Sequence, residues 1–269
     1  MAGGAYNPSF SFIREEESME KKRQIAAVLI LLALIGVIAY RHSTGKDLEK
    51  YEASFFDVFD TQTQIIGYAS SKEQFSEQMS LIKDKFQYYN DLYDIYHDYE
   101  GMNNIKTIND NAGICPVKVD EEIIELLKLG ITMDEKTDGN MNIAMGSVLS
   151  IWHDYREAGS EDPYSAELPP MDELERAAEH TDIHNIVIDE EASTVYLSLD
   201  VGSIGKGYAV QKVAEYAKNE LGIQYMLFSV GGNVCAIGGH PDGSAWAVGI
   251  QNPDVESDQA YIKKVEVQD

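Results

Sequence analysis

The sequence predicts an α+β fold, with mostly antiparallel sheets and packed helices, preceded by one N-terminal hydrophobic helix. Three observations carry that expectation. Ile25 to Tyr40 is an unbroken apolar run, and residues 54–69 mix aromatic, β-branched and polar side chains at near-alternating positions. From Phe75 onward the apolar residues switch to spacings of three and four, and short strand-like runs separated by glycine turns follow past residue 185.

The apolar run comes first. It holds no charge, and Lys21, Lys22 and Arg23 stand directly before it, which marks an export or anchoring signal. Its sixteen residues, at about 1.5 Å each, span roughly 24 Å against ~30 Å of bilayer hydrocarbon, so a short anchor and a cleaved signal peptide both fit. Val37-Ile38-Ala39 offers a small-residue cleavage point. The basic cluster on its N-terminal side places the rest of the chain outside the cell membrane. Residues 1–20 are then a tail, 21–45 the anchor or signal with a linker, and 46–269 a single domain.

Within that domain, two strands over 54–69 are expected to join near Asp60 to Gln64. Phe75, Met79, Ile82, Phe86, Tyr89, Tyr93 and Tyr96 form one stripe of a long helix. Asp120 opens a second helix that Thr137-Asp138-Gly139 ends, and Pro169-Pro170 precedes a third running from Met171 to about His180. Residues 185–189 and 194–199 read as a hairpin. A fourth helix runs from Tyr208 to Leu221, stopped by Gly222; strands follow over 224–230, 234–237 and 245–250, and another through Ile262, Val265 and Val267.

Charge and cysteines narrow the function. Lys and Arg total 21 against 46 Asp and Glu, a formal charge of −25 that repels nucleic acid backbones. Cys115 and Cys235 stand far apart, in no metal or disulfide pattern, and are expected to be small buried hydrophobes. His180 and His184 share i, i+4 spacing but lack a third ligand, and a solvated surface is the simpler reading.

The most informative stretch is Asp200-Val-Gly202-Ser203-Ile-Gly205-Lys206-Gly207-Tyr208-Ala209-Val210, which leaves a strand and enters a helix. Glycines let a ligand approach the backbone, the first N–H groups of a helix face anions, and Lys206 adds positive charge. The spacing matches neither a Walker A loop nor the dinucleotide fingerprint G-x-G-x-x-G. The pattern alone leaves a phosphate cradle and a structural tight turn both open.

Asp200 to Val210 is similar to the D-x-G-x-I-A/G-K-G-Y-A-V segment of the ApbE family, and Ser229 to Asn233 to the family's N-x-G-G-D/N turn. Thr137 to Gly146 resembles its T-D-G-A-F-D-P-T-V-G, with Trp152 where an L-W follows; Trp246 to Pro253 resembles W-x-V-G-I-x-x-P, and Tyr96 to Gly113 an early Tyr and Asn block. The resemblance runs from about Phe59 to Pro253 and implies an ApbE or T-fold-like architecture.

It further implies an FAD:protein FMN transferase, which moves FMN from FAD to a Thr or Ser hydroxyl of an exported redox protein, releases AMP and depends on Mg²⁺. Hydrolysis of FAD to FMN and AMP, or flavin binding without catalysis, are the alternatives. Residue by residue, the resemblance implies FAD contacts at Asp200, Lys206, Asn140, Met141, Asn142 and Tyr96, and a metal-site oxygen from Ser203. No catalytic residue is assigned. The expected partners are FAD, an acceptor protein carrying a D-x-x-S/T-x-A/S/T-like motif, and a membrane through residues 25–40. Asn142 departs from the family's Asp. The family's later H-x-I/L-x-D-P-x-T-G and A-D-A-x-S/D-T segments, which complete its Mg²⁺ site, do not occur in this sequence, so the domain is expected to lack its C-terminal part.

Overall fold

In the computed structural model, residues 48–189 and 198–268 are described. The charge-free run at 25–40 lies outside them, and no helix among the described residues is long and apolar enough to cross a membrane.

Alternation sets the first hairpin. β1 (Glu49–Val58) and β2 (Thr61–Ala69) are joined at Phe59-Asp60, where both residues have positive φ, 53° and 47°. A two-residue turn of that kind matches the right-handed twist of its strands, so the connection is tighter than the 60–64 segment expected from the sequence. β3 (Met226–Val230) pairs antiparallel with β2, and β4 (Asn233–Ile237) with β3, in a sheet ordered β1-β2-β3-β4. Gly231 and Gly232 make the second tight turn, with φ of 52° and 92°. A side chain at Gly231 would also meet Thr61 Oγ1 at 2.4 Å, so glycine is required there twice over. β5 (Trp246–Gln251) and β6 (Tyr261–Val267) form a separate antiparallel pair.

The helical stripe is real but shorter than its spacing suggests. α1 (Lys72–Tyr93) is capped by the Ser71 hydroxyl, which accepts from Gln74 N–H, and it buries Phe75, Ile82, Phe86, Tyr89 and Tyr93. It ends at Tyr93 because Asp94 turns to extended backbone and its carboxylate accepts from the N–H groups of Tyr96 and His97, at 2.6 and 3.2 Å. Tyr96 therefore stands beyond the helix, on a loop. α2 (Ile105–Asp110), absent from the sequence reading, starts with a reciprocal Asn104–Thr107 capping box.

α3 (Glu121–Lys136) has the expected Asp120 cap and closes on Asp138 and Gly139, both with positive φ. α4 (Gly146–Glu161) is a second unforeseen helix. A Cβ on Gly146 would sit 2.6 Å from Ser198 Oγ and 2.8 Å from the Ser198 carbonyl carbon, so glycine lets α4 start against the irregular segment that leads to Asp200. α5 (Met171–Ala178) follows Pro170, and a 3₁₀ turn spans Ile183–Asn185. Of the expected hairpin over 185–189 and 194–199, Asn185 ends the 3₁₀ turn, 186–188 are irregular and Asp189 takes part in a β-bridge, while 190–197 lie outside the described residues.

α6 (Gly205–Asn219) begins three residues before Tyr208, so Lys206 and Gly207 belong to its first turn rather than to the loop before it. α1 and α6 pack together, α1 against β2 and α6 against β3 and β4. Phe86 lies edge-on to Phe228 at 6.3 Å, and Ile65, Ile82, Met226, Val213 and Ala217 complete this buried layer. The cysteines depart from expectation. Cys115 is exposed, with its thiol toward Asn111 Oδ1, and Cys235 is half-buried on β4 with its thiol toward Gln211 Oε1; neither forms a disulfide. His180 and His184 are exposed.

Candidate functional site

The turn from Leu199 into α6 is built by three backbone ties. Asp200 N–H donates to the Ile143 carbonyl at 2.9 Å, Gly202 N–H donates to Asp200 Oδ1 at 2.8 Å, and Gly205 N–H to the Val201 carbonyl at 2.7 Å. One oxygen of Asp200 thus shapes the loop, and the residue also lines the cleft described below. The helix that follows has no side-chain cap. Among the described residues, the N–H groups of Lys206 and Gly207 find no backbone acceptor, as expected for the first turn of a helix whose capping position is Ile204.

Gly207 does a second job. A Cβ there would stand 3.2 Å from Asn233 Oδ1, so its absence lets the turn between β3 and β4 close onto the helix start. The two glycine motifs seen in the sequence are therefore one unit in space. Lys206 is half-buried and has no ion-pair partner among the described residues.

Lys206 lines a cleft of about 440 Å³ together with Tyr93, Asp94, Tyr96, Asp200 and Gly205. Three of the expected FAD-contacting residues, Tyr96, Asp200 and Lys206, meet in that one cavity. Asn140, Met141 and Asn142 do not line it. Met141 instead meets the turn before α6, where the Ser203 hydroxyl donates to its Sδ at 3.6 Å. Asn140 donates to the Thr137 carbonyl at 2.6 Å and closes the turn after α3. Asn142 donates to the Thr181 carbonyl at 2.8 Å and accepts from Ala144 N–H at 2.7 Å, so both ends of its amide brace the chain.

The electrostatics follow from this crowding. Burial raises the Tyr96 hydroxyl above its ordinary value, the negative Asp200 raises it further, and Arg156 opposes them. Burial alone would raise Asp94 too, but hydrogen bonds from Tyr96 N–H, the Tyr99 hydroxyl and His97 outweigh it and hold its carboxyl below the usual range. Asp94 thus stays ionised and pins the loop that carries Tyr96.

Two contributors went unread in the sequence. His153 and Arg156 on α4 reach the same region, and with Tyr96 and Asp200 they line an adjoining hollow. The H-x-x-R-E spacing of His153, Arg156 and Glu157 was the available signal, since side chains three and four apart meet on a helix face. Without the helix its meaning was hidden.

Whether the residues fit Mg²⁺ can be tested on the donors alone. Ser203 offers one hydroxyl, and it points to a thioether; no group of three or more His, Cys, Asp or Glu side chains converges on a metal-sized site among the described residues. Hard cations take six or more oxygens. The described residues do not by themselves make such a site.

Comparison with known proteins gives a consistent picture. The chain is 24% identical over 180 residues to the FAD:protein FMN transferase of Escherichia coli K12, covering 64% of this chain and 50% of that protein. It is 28% identical over 167 residues to the Treponema pallidum protein of the same name, covering 55% and 44%. The chain spans about half the length of the curated relatives it matches. Among solved structures, the ApbE protein of Thermotoga maritima superposes with a TM-score of 0.67 at 24% identity, over 82% of this chain and 68% of that one. The flavin transferase ApbE of Vibrio cholerae gives 0.61 at 20% identity over the same shares, a likeness of fold. The ApbE family as a whole matches residues 59–269. With that match over most of its length, built around the glycine-rich turn described above, the chain belongs to the ApbE family.

Proposed function

We propose that the protein is an FAD:protein FMN transferase, which moves FMN from FAD to a Thr or Ser hydroxyl of an exported redox protein and releases AMP. The observation that carries this reading is the unpaired Lys206 ammonium at an uncapped helix start, in one cleft with Tyr96 and Asp200. The names of the relatives support the same chemistry.

In the proposed reaction the acceptor hydroxyl oxygen forms a bond to the FMN phosphorus, the bond from that phosphorus to the AMP oxygen breaks, AMP departs with that oxygen, and the hydroxyl proton is released to solvent. Such a transfer needs positioning and charge neutralisation more than covalent help. Lys206 and the N–H groups of the first α6 turn supply positive potential to the pyrophosphate. Asp200, with one oxygen committed to Gly202 N–H, accepts from a ligand hydroxyl or N–H through the other. Tyr96 offers a ring face to the flavin.

Mg²⁺ belongs to the expectation from the family; because the described residues do not form its site, no step is assigned to it. The location is a proposal of the same kind. It rests on the charge-free run at 25–40 behind Lys21, Lys22 and Arg23, which favours a domain held outside the membrane.

The test is to incubate the protein with FAD, Mg²⁺ and a D-x-x-S/T-x-A/S/T peptide. Covalent flavin fluorescence on the peptide is the expected result, with Lys206→Ala slowing labelling by about tenfold or more. AMP released without labelled peptide would replace transfer by FAD hydrolysis. FAD bound with neither product would reduce the reading to a flavin-binding protein.

A further inference from the structure

The pairing of Tyr96 with His153 has no role in the account so far. Tyr96 sits past the end of α1 on a loop and is 51% exposed, a setting in which a side chain ordinarily samples several rotamers. Here it does not stand alone. The His153 ring lies 4.8 Å from the Tyr96 ring at 29°, a stacked arrangement, with Tyr96 Oη 3.4 Å from His153 Nδ1.

His153 is itself fixed from two sides. On the same face of α4, Arg156 Nη2 lies 2.8 Å from Nδ1 and Glu157 Oε1 lies 3.0 Å from Nε2. A guanidinium only donates, so Nδ1 must accept, and the imidazole proton sits on Nε2, where it donates to Glu157. That leaves the Nδ1 lone pair facing both the Arg156 N–H and the Tyr96 hydroxyl. The backbone of Tyr96 is tied separately, to Asp94.

One face of the Tyr96 ring is therefore taken, the His97 ring stands edge-on to it at 6.5 Å, and Tyr96 lines the cleft together with Asp200. Resting on the FAD reading above, the geometry points to His153 as a positioning residue that holds Tyr96 as a one-sided stacking platform for the flavin ring. A ring already standing in place spares the ligand the cost of ordering it. Glu157 reaches Tyr96 only through His153, whereas Arg156 also bears directly on the Tyr96 hydroxyl.

Two readouts test this on the intact chain: the FAD dissociation constant, from quenching of flavin fluorescence, and the Tyr96 ring resonances of the ligand-free protein, identified by Tyr96→Phe. His153→Ala should weaken FAD binding roughly two- to tenfold and move the Tyr96 resonances toward those of a free tyrosine. His153→Phe, which keeps a stacking ring, should restore both. In a Tyr96→Ala background, His153→Ala should cost nothing further. Glu157→Gln, on a side chain 66% exposed, is a second variant that disturbs His153 without emptying its place, and it should shift the same resonances. Unmoved Tyr96 resonances in His153→Ala, or an equal loss of FAD affinity in the Tyr96→Ala background, would overturn the positioning role. A wild-type chain that binds no FAD would contradict the flavin reading instead, and the Tyr96 resonances alone would then decide the role of His153.

Discussion

Single residues here are held by bonds that leave little freedom of substitution. Asn142 is the clearest case. It stands where relatives of this family carry Asp, yet its amide N–H₂ donates to the Thr181 carbonyl while its oxygen accepts from Ala144 N–H. An Asp keeps the acceptor and loses the donor, setting a carboxylate against a carbonyl. Asn142→Asp should therefore destabilise the protein by about 1–3 kcal/mol, measured by urea unfolding. An unchanged midpoint would show that the brace contributes nothing. Gly146 gives a steric counterpart: Gly146→Ala drives a methyl into Ser198 and Leu199 backbone atoms and should cost at least as much. Asp94 acts through charge. Its carboxyl is held below the ordinary carboxylate range, so its contribution is fully present above the unfolded value near 3.8 and is lost as pH falls through the lowered folded value. Asp94→Asn should narrow the stability gap between neutral pH and pH 3, and a gap of unchanged size would contradict that role.

At the scale of elements, the ion pairs between α3 and α6 set how the cradle helix lies. Lys212 Nζ is 2.6 Å from Glu125 and 3.1 Å from Glu122, and Tyr208 donates to Glu125 at 2.9 Å. Burial alone would lower the Lys212 ammonium, but the two carboxylates outweigh it and raise it. Lys212→Met should reduce stability by on the order of 1–2 kcal/mol and weaken FAD binding with it, because the same helix carries Lys206 in its first turn. Loss of stability with unchanged FAD affinity would separate the two. Elements were also where sequence reading succeeded and failed for physical reasons. α1, α3 and the strands were legible because each repeats its apolar period over many residues. α4 was not: Val148, Ile151, Trp152 and Tyr155 do stand at helical spacing, but the stripe is short and buries only Val148, so it gives a weak signal. The end of α1 was missed because Tyr96 keeps the helical spacing, while the helix is stopped by Asp94 hydrogen bonds that a period cannot show.

For the whole molecule, the glycine motifs were readable as chemistry long before their meeting was visible. Their spacing pointed to a loop at 200–207, open to reading as a phosphate cradle or a tight turn, and to a turn at 231–232, but only the fold shows Gly207 admitting Asn233 and so joining them. Tyr96 likewise converges with Asp200 and Lys206 from a distant stretch of chain. The support behind Tyr96 from α4 needed tertiary packing and could not be read from any single segment. Net charge is a property of the same scale. At a formal −25 the chain repels itself, so thermal stability should rise as salt is increased from about 10 mM to about 500 mM, where the Debye length shrinks from roughly 30 Å to a few ångströms. A melting temperature that falls over that range would show that attractive pairs such as Lys212 with Glu122 and Glu125 dominate instead.

The central claim is that the turn from Asp200 to Gly207 cradles the phosphates of FAD, and comparing ligands that differ only in phosphate tests it most directly. Titrations of FAD and riboflavin against the wild type and Lys206→Ala should show FAD binding more tightly than riboflavin to the wild type, by about tenfold or more, with most of that margin lost in the variant. Equal affinity for FAD and riboflavin, or an FAD advantage that survives Lys206→Ala intact, would contradict the account.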